Sequence, residues 1–152
     1  MGGVSAMADD AVVVEQFVRA SAETVFSFFS DPQRWLQWQG IEATIEPVPG
    51  GAFSMAMAGG SHALGRFVEV VPAQRIVFTW GWEENDHGVP PGSTTVEVEL
   101  IPEDGGTLVR LTHRGLATVA SRDDHREGWT MYAERLAAVA EGRDPGPDPM
   151  AG

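Results

Sequence analysis

The chain has 152 residues, a formal net charge of −12 at pH 7 and no cysteine. This length predicts one domain, and the acidic charge disfavours nucleic acids and anionic membrane surfaces as partners. Without cysteine the chain can form neither disulfides nor thiolate metal sites, which fits the cytoplasm, where we expect the protein. No apolar run approaches the roughly 20 residues of a membrane-spanning helix, so membrane insertion is not expected.

The two ends of the chain differ from its middle in composition. Residues 1–10 and 143–152 are small, polar and rich in glycine and proline, and we interpret both as tails. The first ten residues also lack the charged and apolar regions of a signal peptide. A single domain is therefore expected over residues 11–142.

The first half of this domain begins with a strand and two short helices. The β-branched segment AVVVEQFVR at 11–19 favours a strand. Ser21 then caps a helix over 22–29. Asp31 and Pro32 begin a second helix, which is expected to run to Trp38 and to end at Gly40.

Six further strands are predicted after Ile41. They cover residues 41–47, 51–58, 62–71, 75–83, 93–101 and 107–114, with a polar loop at 84–92. Because the turns between most of them are short, the strands should form an antiparallel sheet. The strand at 75–83 is apolar on both faces, which predicts a central position or a covered outer face.

The longest periodic segment is the helix predicted over Ser121–Glu141. Residues that recur every three or four positions share one face of this helix: His125, Trp129, Tyr132, Leu136 and Val139. Ser121 and Asp124 fit a capping box, and Gly142 is expected to end the helix in a left-handed conformation. Gly128 in the helix interior costs about 1 kcal/mol relative to alanine, which we interpret as close approach of another element.

Four segments resemble a known family. GRFVEVVPAQRIVFTWGWEE at 65–84 and HREGWTMYAERLA at 125–137 resemble signature blocks of the family named for the activator of Hsp90 ATPase, in its small bacterial members. DPQRWLQW at 31–38 and VPGGAF at 48–53 match as well, and the resemblance covers residues 11–141. It implies an α+β, START-like (Bet v 1-like) helix-grip fold. In this fold a curved seven-stranded antiparallel sheet wraps around a long C-terminal helix, in the order β-α-α-β-β-β-β-β-β-α.

The resemblance also implies a hydrophobic cavity between the sheet and the long helix, without specifying its ligand. The residues expected to line it are apolar or amphipathic: Phe53, Met55, Met57, Phe67, Phe78, Trp80, Val98, Leu111, Trp129 and Tyr132, with His125 at the rim. The segment AFSMAMAGG at 52–60 lacks the arginine that members often carry there, which indicates an apolar lining or an adaptable core. An aromatic lining and a filled aromatic core look alike in sequence. Arg66 and Glu69 are three residues apart, so one of them should face the cavity unless a bulge intervenes.

Three functions follow from these features. The leading interpretation is binding of a small hydrophobic or aromatic molecule. One alternative is a cyclase/aromatase- or hydrolase-like enzyme in which His125 and Tyr132 act as acid and base, although both could instead serve as a helix cap and a solvent-facing hydroxyl. The other is a protein-interaction module that resembles a chaperone activator. An exposed edge strand would also allow a homodimer.

Metal and cofactor chemistry is not expected. The four histidines, His62, His87, His113 and His125, stand on separate elements without metal-ligand spacing. The glycine-rich turns lack a phosphate-binding pattern, and no serine stands in a nucleophile elbow. The sequence therefore disfavours a P-loop enzyme, a dinucleotide oxidoreductase and a serine hydrolase.

Overall fold

The computed structural model describes residues 11–83 and 88–149. The predicted N-terminal tail and residues 84–87 of the polar loop lie outside the described residues. Strands and helices follow in the order β1 (Val12–Val18), α1 (Ala22–Ser30), α2 (Pro32–Trp35), β2 (Glu42–Ile45), β3 (Ala52–Ala56), β4 (His62–Val71), β5 (Arg75–Trp80), β6 (Thr94–Glu103), β7 (Gly106–Arg114) and α3 (Val119–Ala140).

The seven strands form one antiparallel sheet in the order β1-β7-β6-β5-β4-β3-β2. Strands β2 to β7 pair in sequence, and β1 joins the sheet beside β7, with Val14 opposite Leu111. The central strand is β5, where Ile76, Val77 and Phe78 are all buried, as its apolar pattern predicted. Together with the long helix α3, this confirms the predicted helix-grip fold. No helix in the described part of the chain combines the length and the apolar character needed to cross a membrane.

The caps of the two short helices form as predicted. The Ser21 side chain accepts a hydrogen bond from the Thr24 N–H at 3.1 Å, and the Asp31 carboxylate accepts one from the Gln33 N–H at 2.9 Å. Helix α2 ends at Trp35 rather than at Trp38, because the following residues turn through hydrogen bonds between near neighbours.

The predicted start of α3 was wrong. Its N-cap is Thr118, whose hydroxyl accepts a hydrogen bond from the Ser121 N–H at 3.0 Å. Ser121 therefore lies inside the helix, where its buried hydroxyl has no partner among the described residues. The C-terminal end agrees with the prediction: Gly142 has φ +81°, and the Arg143 N–H donates to the Ala138 carbonyl at 2.7 Å, as in a Schellman motif.

A β-bulge in β4 explains how both of its charged residues avoid the interior. The pairing of β4 with β5 shifts register between Phe67 and Glu69, which leaves Val68 as an extra, exposed residue. Arg66 and Glu69 are both exposed, so neither faces the cavity. Glu69 instead accepts a hydrogen bond from Arg75 at 2.8 Å on the surface.

Candidate functional site

A partly open cavity lies between the N-terminal half of α3 and the ends of β3 and β5, with a volume of about 470 Å³. Its apolar walls are large side chains from three parts of the chain: Met57 after β3, Trp80 and Trp82 at the end of β5, and Trp129, Met131 and Tyr132 on α3. Gln39 and Pro149 complete the wall. The sheet and the helix thus bring together residues that are far apart in sequence.

Helix α3 contributes two neighbouring stripes to this cavity. One is the predicted buried face, with His125, Trp129 and Tyr132, and the other contains Asp124, Gly128 and Met131. Both stripes repeat at the spacing of one helical turn. Sequence analysis considered only the first stripe.

Gly128 widens the cavity instead of making a close contact, so the interpretation of this glycine as a packing position was wrong. A Cβ atom built at Gly128 would meet nothing within 4 Å. Any larger side chain at this position would enter the cavity that Gly128 lines. An unexplained glycine inside the helix was therefore the signal that could have located the cavity.

The eleven residues expected at the cavity separate into two groups. Met57, Trp80, His125, Trp129 and Tyr132 line it. The other six are buried and are not among its lining residues: Phe53, Met55, Phe67, Phe78, Val98 and Leu111.

Trp35 packs against three residues of this second group, Phe53, Met55 and Phe78, in a filled core. The centroid of its ring lies 5.4 Å from that of Phe53 and 6.0 Å from that of Phe78. Its indole N–H points at the Met55 sulfur, at a distance of 3.1 Å. Phe53 and Phe78 also stack on each other at 4.5 Å. Through Trp35, the short helix α2 thus fills the space beside Phe53 and Phe78, whereas the cavity lies beside Trp80 and Trp129.

A buried histidine that sequence analysis did not select holds the cavity wall in place. The Trp129 indole N–H donates to His113 Nδ1 at 3.0 Å, so the ring proton of His113 lies on Nε2. Nε2 bonds to the Thr94 hydroxyl at 2.8 Å, and that hydroxyl donates to the Trp80 carbonyl at 2.7 Å. Burial, with a smaller contribution from the nearby His125, lowers the pKa of His113 to about 3. His113 is therefore neutral and fixes the orientation of Trp129 against β5.

His125 orients a second tryptophan of the wall. Its Nε2 accepts a hydrogen bond from the Trp82 indole N–H at 3.2 Å, and its Nδ1 bonds to the Ser121 carbonyl at 2.7 Å. This pair of partners fits a neutral ring with the proton on Nδ1. Both nitrogens are thus engaged within the protein, and the His125 ring packs edge to face on His113 at 5.1 Å.

The C-terminal strap, residues 143–149, lies against α3 and forms part of the cavity wall through Pro149. Tyr132 donates a hydrogen bond to the Asp148 carboxylate at 2.9 Å. Burial and this carboxylate together raise the pKa of the Tyr132 phenol above its ordinary value. Arg135 donates through Nη1 to the backbone carbonyls of residues 145, 146 and 147 at 3.2, 2.9 and 3.1 Å. These bonds fasten to α3 a segment whose composition predicts a tail.

Two polar atoms of cavity-lining residues have no hydrogen-bond partner in the part of the chain that the structure describes. They are the Trp80 indole N–H and the Gln39 side-chain oxygen, and both residues are almost fully buried. An unsatisfied buried group of this kind costs about 1–3 kcal/mol.

The charged groups at the cavity are acidic. Asp124 and Glu127 line it and are exposed, whereas none of its described lining residues is lysine or arginine. Within residues 11–83 and 88–149, no three histidine or carboxylate side chains are grouped so as to hold a metal ion.

A second recess of similar size runs along β2, β3 and β4, with a volume of about 510 Å³. No tryptophan, tyrosine or phenylalanine is among its described lining residues, which include Thr44, Ser54, His62 and Glu83. His62 and Glu83 are 3.5 Å apart across it. The tryptophan-walled cavity beneath α3 is therefore the better candidate for binding an apolar molecule.

Comparison with known proteins identifies relatives of the whole domain. No curated protein matches the chain significantly. The solution structure of an AHSA1-like protein from Rhizobium etli is 45% identical and has a TM-score of 0.74, covering 93% of this chain and 88% of its own. A crystal structure from Chromobacterium violaceum is 25% identical with a TM-score of 0.75, covering 92% of this chain and 99% of its own. CalU16 of Micromonospora echinospora is 26% identical with a TM-score of 0.70, covering 93% and 78%.

The family assignment follows from a match that spans most of the domain. The model of the family described as "Activator of Hsp90 ATPase homolog 1-like protein" matches residues 19–141. These residues contain every element from α1 to α3. The chain therefore belongs to the Activator of Hsp90 ATPase homolog 1-like family.

Proposed function

We propose that this protein binds a small hydrophobic or aromatic molecule in the cavity between the sheet and α3. The observation that supports this most directly is a cavity of about 470 Å³ walled by three indole rings, a phenol ring and two thioethers. Ligand sites in proteins have volumes of about 300–1,000 Å³ and combine apolar walls with a few polar groups. Gln39 and Glu127 are polar residues of this kind.

The geometry supports binding better than acid–base catalysis by His125 and Tyr132. A general base needs an available lone pair within reach of the substrate. His125 Nε2 already accepts from Trp82, and the Tyr132 hydroxyl already donates to Asp148. Both residues would have to break these bonds before they could exchange a proton with a substrate.

The surface gives less support to a protein-interaction module. Large exposed apolar side chains among the described residues are four valines and one isoleucine, and none is aromatic: Val13, Ile41, Val48, Val68 and Val119. Protein partners usually dock on a contiguous apolar patch. Single exposed valines and isoleucines are common on protein surfaces that bind nothing.

Fluorescence titration with N-phenyl-1-naphthylamine, an uncharged aromatic probe, tests the proposal. The protein should bind the probe saturably, and Gly128→Leu should abolish binding because the new side chain enters the cavity. Thr130→Leu is the matched control, since Thr130 is exposed on the same helix and does not line the cavity. An unchanged affinity in Gly128→Leu, or no binding by the unsubstituted protein, would contradict the proposal.

A further inference from the structure

The charge around the cavity narrows the class of ligand. We propose that the ligand is an aromatic cation whose ring lies among the tryptophans and whose ammonium group lies beside Glu127 at the rim. This inference rests on the proposed function, because it specifies what the same cavity takes.

The tryptophan rings form a corner suited to a flat, positively charged molecule. The Trp80 and Trp82 rings are 5.3 Å apart with an interplanar angle of 85°, and the Trp80 and Trp129 rings are 5.1 Å apart at 55°. The face of an aromatic ring carries negative potential, and tryptophan attracts cations most strongly of the aromatic side chains. An aromatic ligand in the cavity would therefore contact indole rings of different inclination.

Hydrogen bonds fix this corner in place before any ligand arrives. His113 accepts from the Trp129 indole and His125 accepts from the Trp82 indole, and both histidines are buried. A preorganised aromatic wall loses little side-chain entropy when a ligand binds. The Trp80 indole N–H has no such acceptor among the described residues.

The rim favours a cation over an anion. Asp124 and Glu127 line the cavity on the helix side, and Glu127 makes no ion pair with a described residue. The arginine next to Glu127 in sequence, Arg126, donates to Asp123 at 3.1 Å and does not line the cavity. A carboxylate ligand would be repelled by the like charge of Glu127, in a chain whose net charge is −12.

Three naphthalenes with the same ring and different charge test this inference by isothermal titration calorimetry at low ionic strength. They are 2-naphthylmethylammonium, 2-naphthalenemethanol and 2-naphthoate. The ammonium compound should bind about three- to tenfold more tightly than the alcohol, and the carboxylate should bind most weakly. Added salt should reduce the difference between the ammonium compound and the alcohol.

Substitutions at two glutamates of α3 locate the charge effect. Glu127→Gln should reduce the ratio of ammonium to alcohol affinity by about two- to threefold, as expected for one exposed charge pair. Glu134→Gln should leave the ratio unchanged, because Glu134 is equally exposed on the same helix but does not line the cavity.

The outcomes separate this inference from the proposed function. If the alcohol binds as tightly as the ammonium compound, or if Glu127→Gln leaves their ratio unchanged, the ligand is not selected for positive charge. The proposed function would still stand in that case, because the uncharged aromatic molecule binds. If none of the three compounds binds, the proposed function itself fails.

Discussion

Replacing Gly128 by alanine should stabilise the protein, although this glycine lies in the middle of a helix that packs on the sheet. Alanine is favoured over glycine in a helix interior by about 0.8–1.0 kcal/mol. Steric overlap should not offset this gain, because a Cβ atom at Gly128 would meet nothing within 4 Å. We therefore expect the free energy of unfolding to rise by about 1 kcal/mol and Tm to rise by about 2–4 °C.

Urea unfolding followed by circular dichroism measures this change. Gly65→Ala is the contrasting control, because a Cβ atom at Gly65 would lie 1.8 Å from the Thr79 carbonyl oxygen. That substitution should destabilise the protein strongly or prevent folding. If Gly128→Ala instead lowers the free energy of unfolding by 1 kcal/mol or more (about the size of the gain expected from helix propensity), another group fills the space beside Gly128, and the cavity is not as described.

Three further predictions concern the hydrogen bonds around the cavity. Trp129→Phe should lower the free energy of unfolding by about 1–3 kcal/mol more than Trp80→Phe does, because only the first substitution leaves a buried acceptor, His113 Nδ1, without its donor. Equal losses of the two variants in urea unfolding would refute this. Because the pKa of His113 falls to about 3 on folding, the unfolded chain binds the extra proton below pH 6.5. The free energy of unfolding should therefore decrease by up to about 1.4 kcal/mol per pH unit as the pH falls below 6.5. If His113→Gln shows the same pH dependence, His113 is not its cause. Arg135→Met should loosen the C-terminal strap and speed both binding and release of an aromatic probe in stopped-flow measurements. The control Arg126→Met should leave both rates unchanged. Unchanged rates in Arg135→Met would show that the strap does not limit access to the cavity.

Local sequence chemistry predicted the order of the elements and the antiparallel sheet, whereas the helix-grip fold was implied by the family resemblance. The caps at Ser21 and Asp31 and the left-handed Gly142 depend on neighbouring residues only, and all three form as predicted. The start of α3 was misplaced because Thr118 and Ser121 can both serve as caps, and sequence does not show which hydroxyl is used. The bulge in β4, which lets Arg66 point outward, depends on pairing with another strand and was only one of the possibilities.

The location of the cavity could not be predicted in the same way, because it depends on contacts between distant segments. Periodicity placed Trp129 and Phe53 on buried faces, but it could not show that Trp35 would fill the space around Phe53. The cost of Gly128 was visible in the sequence, whereas the open space beside it was not. The strap was also hidden, because composition does not reveal that Arg135 binds three backbone carbonyls beyond the helix.

The five tryptophans offer the most direct test of the cavity. Each gives one indole N–H signal in a ¹H–¹⁵N correlation spectrum, and three of these residues line the cavity: Trp80, Trp82 and Trp129. The indole N–H groups of Trp35 and Trp38 point instead at the Met55 sulfur and the Phe28 carbonyl in the filled core. Titration with 2-naphthalenemethanol should shift the first three signals saturably and leave the other two nearly unchanged. Shifts confined to Trp35 and Trp38, or no saturable shift in any of the five, would contradict the assignment of this cavity as the binding site.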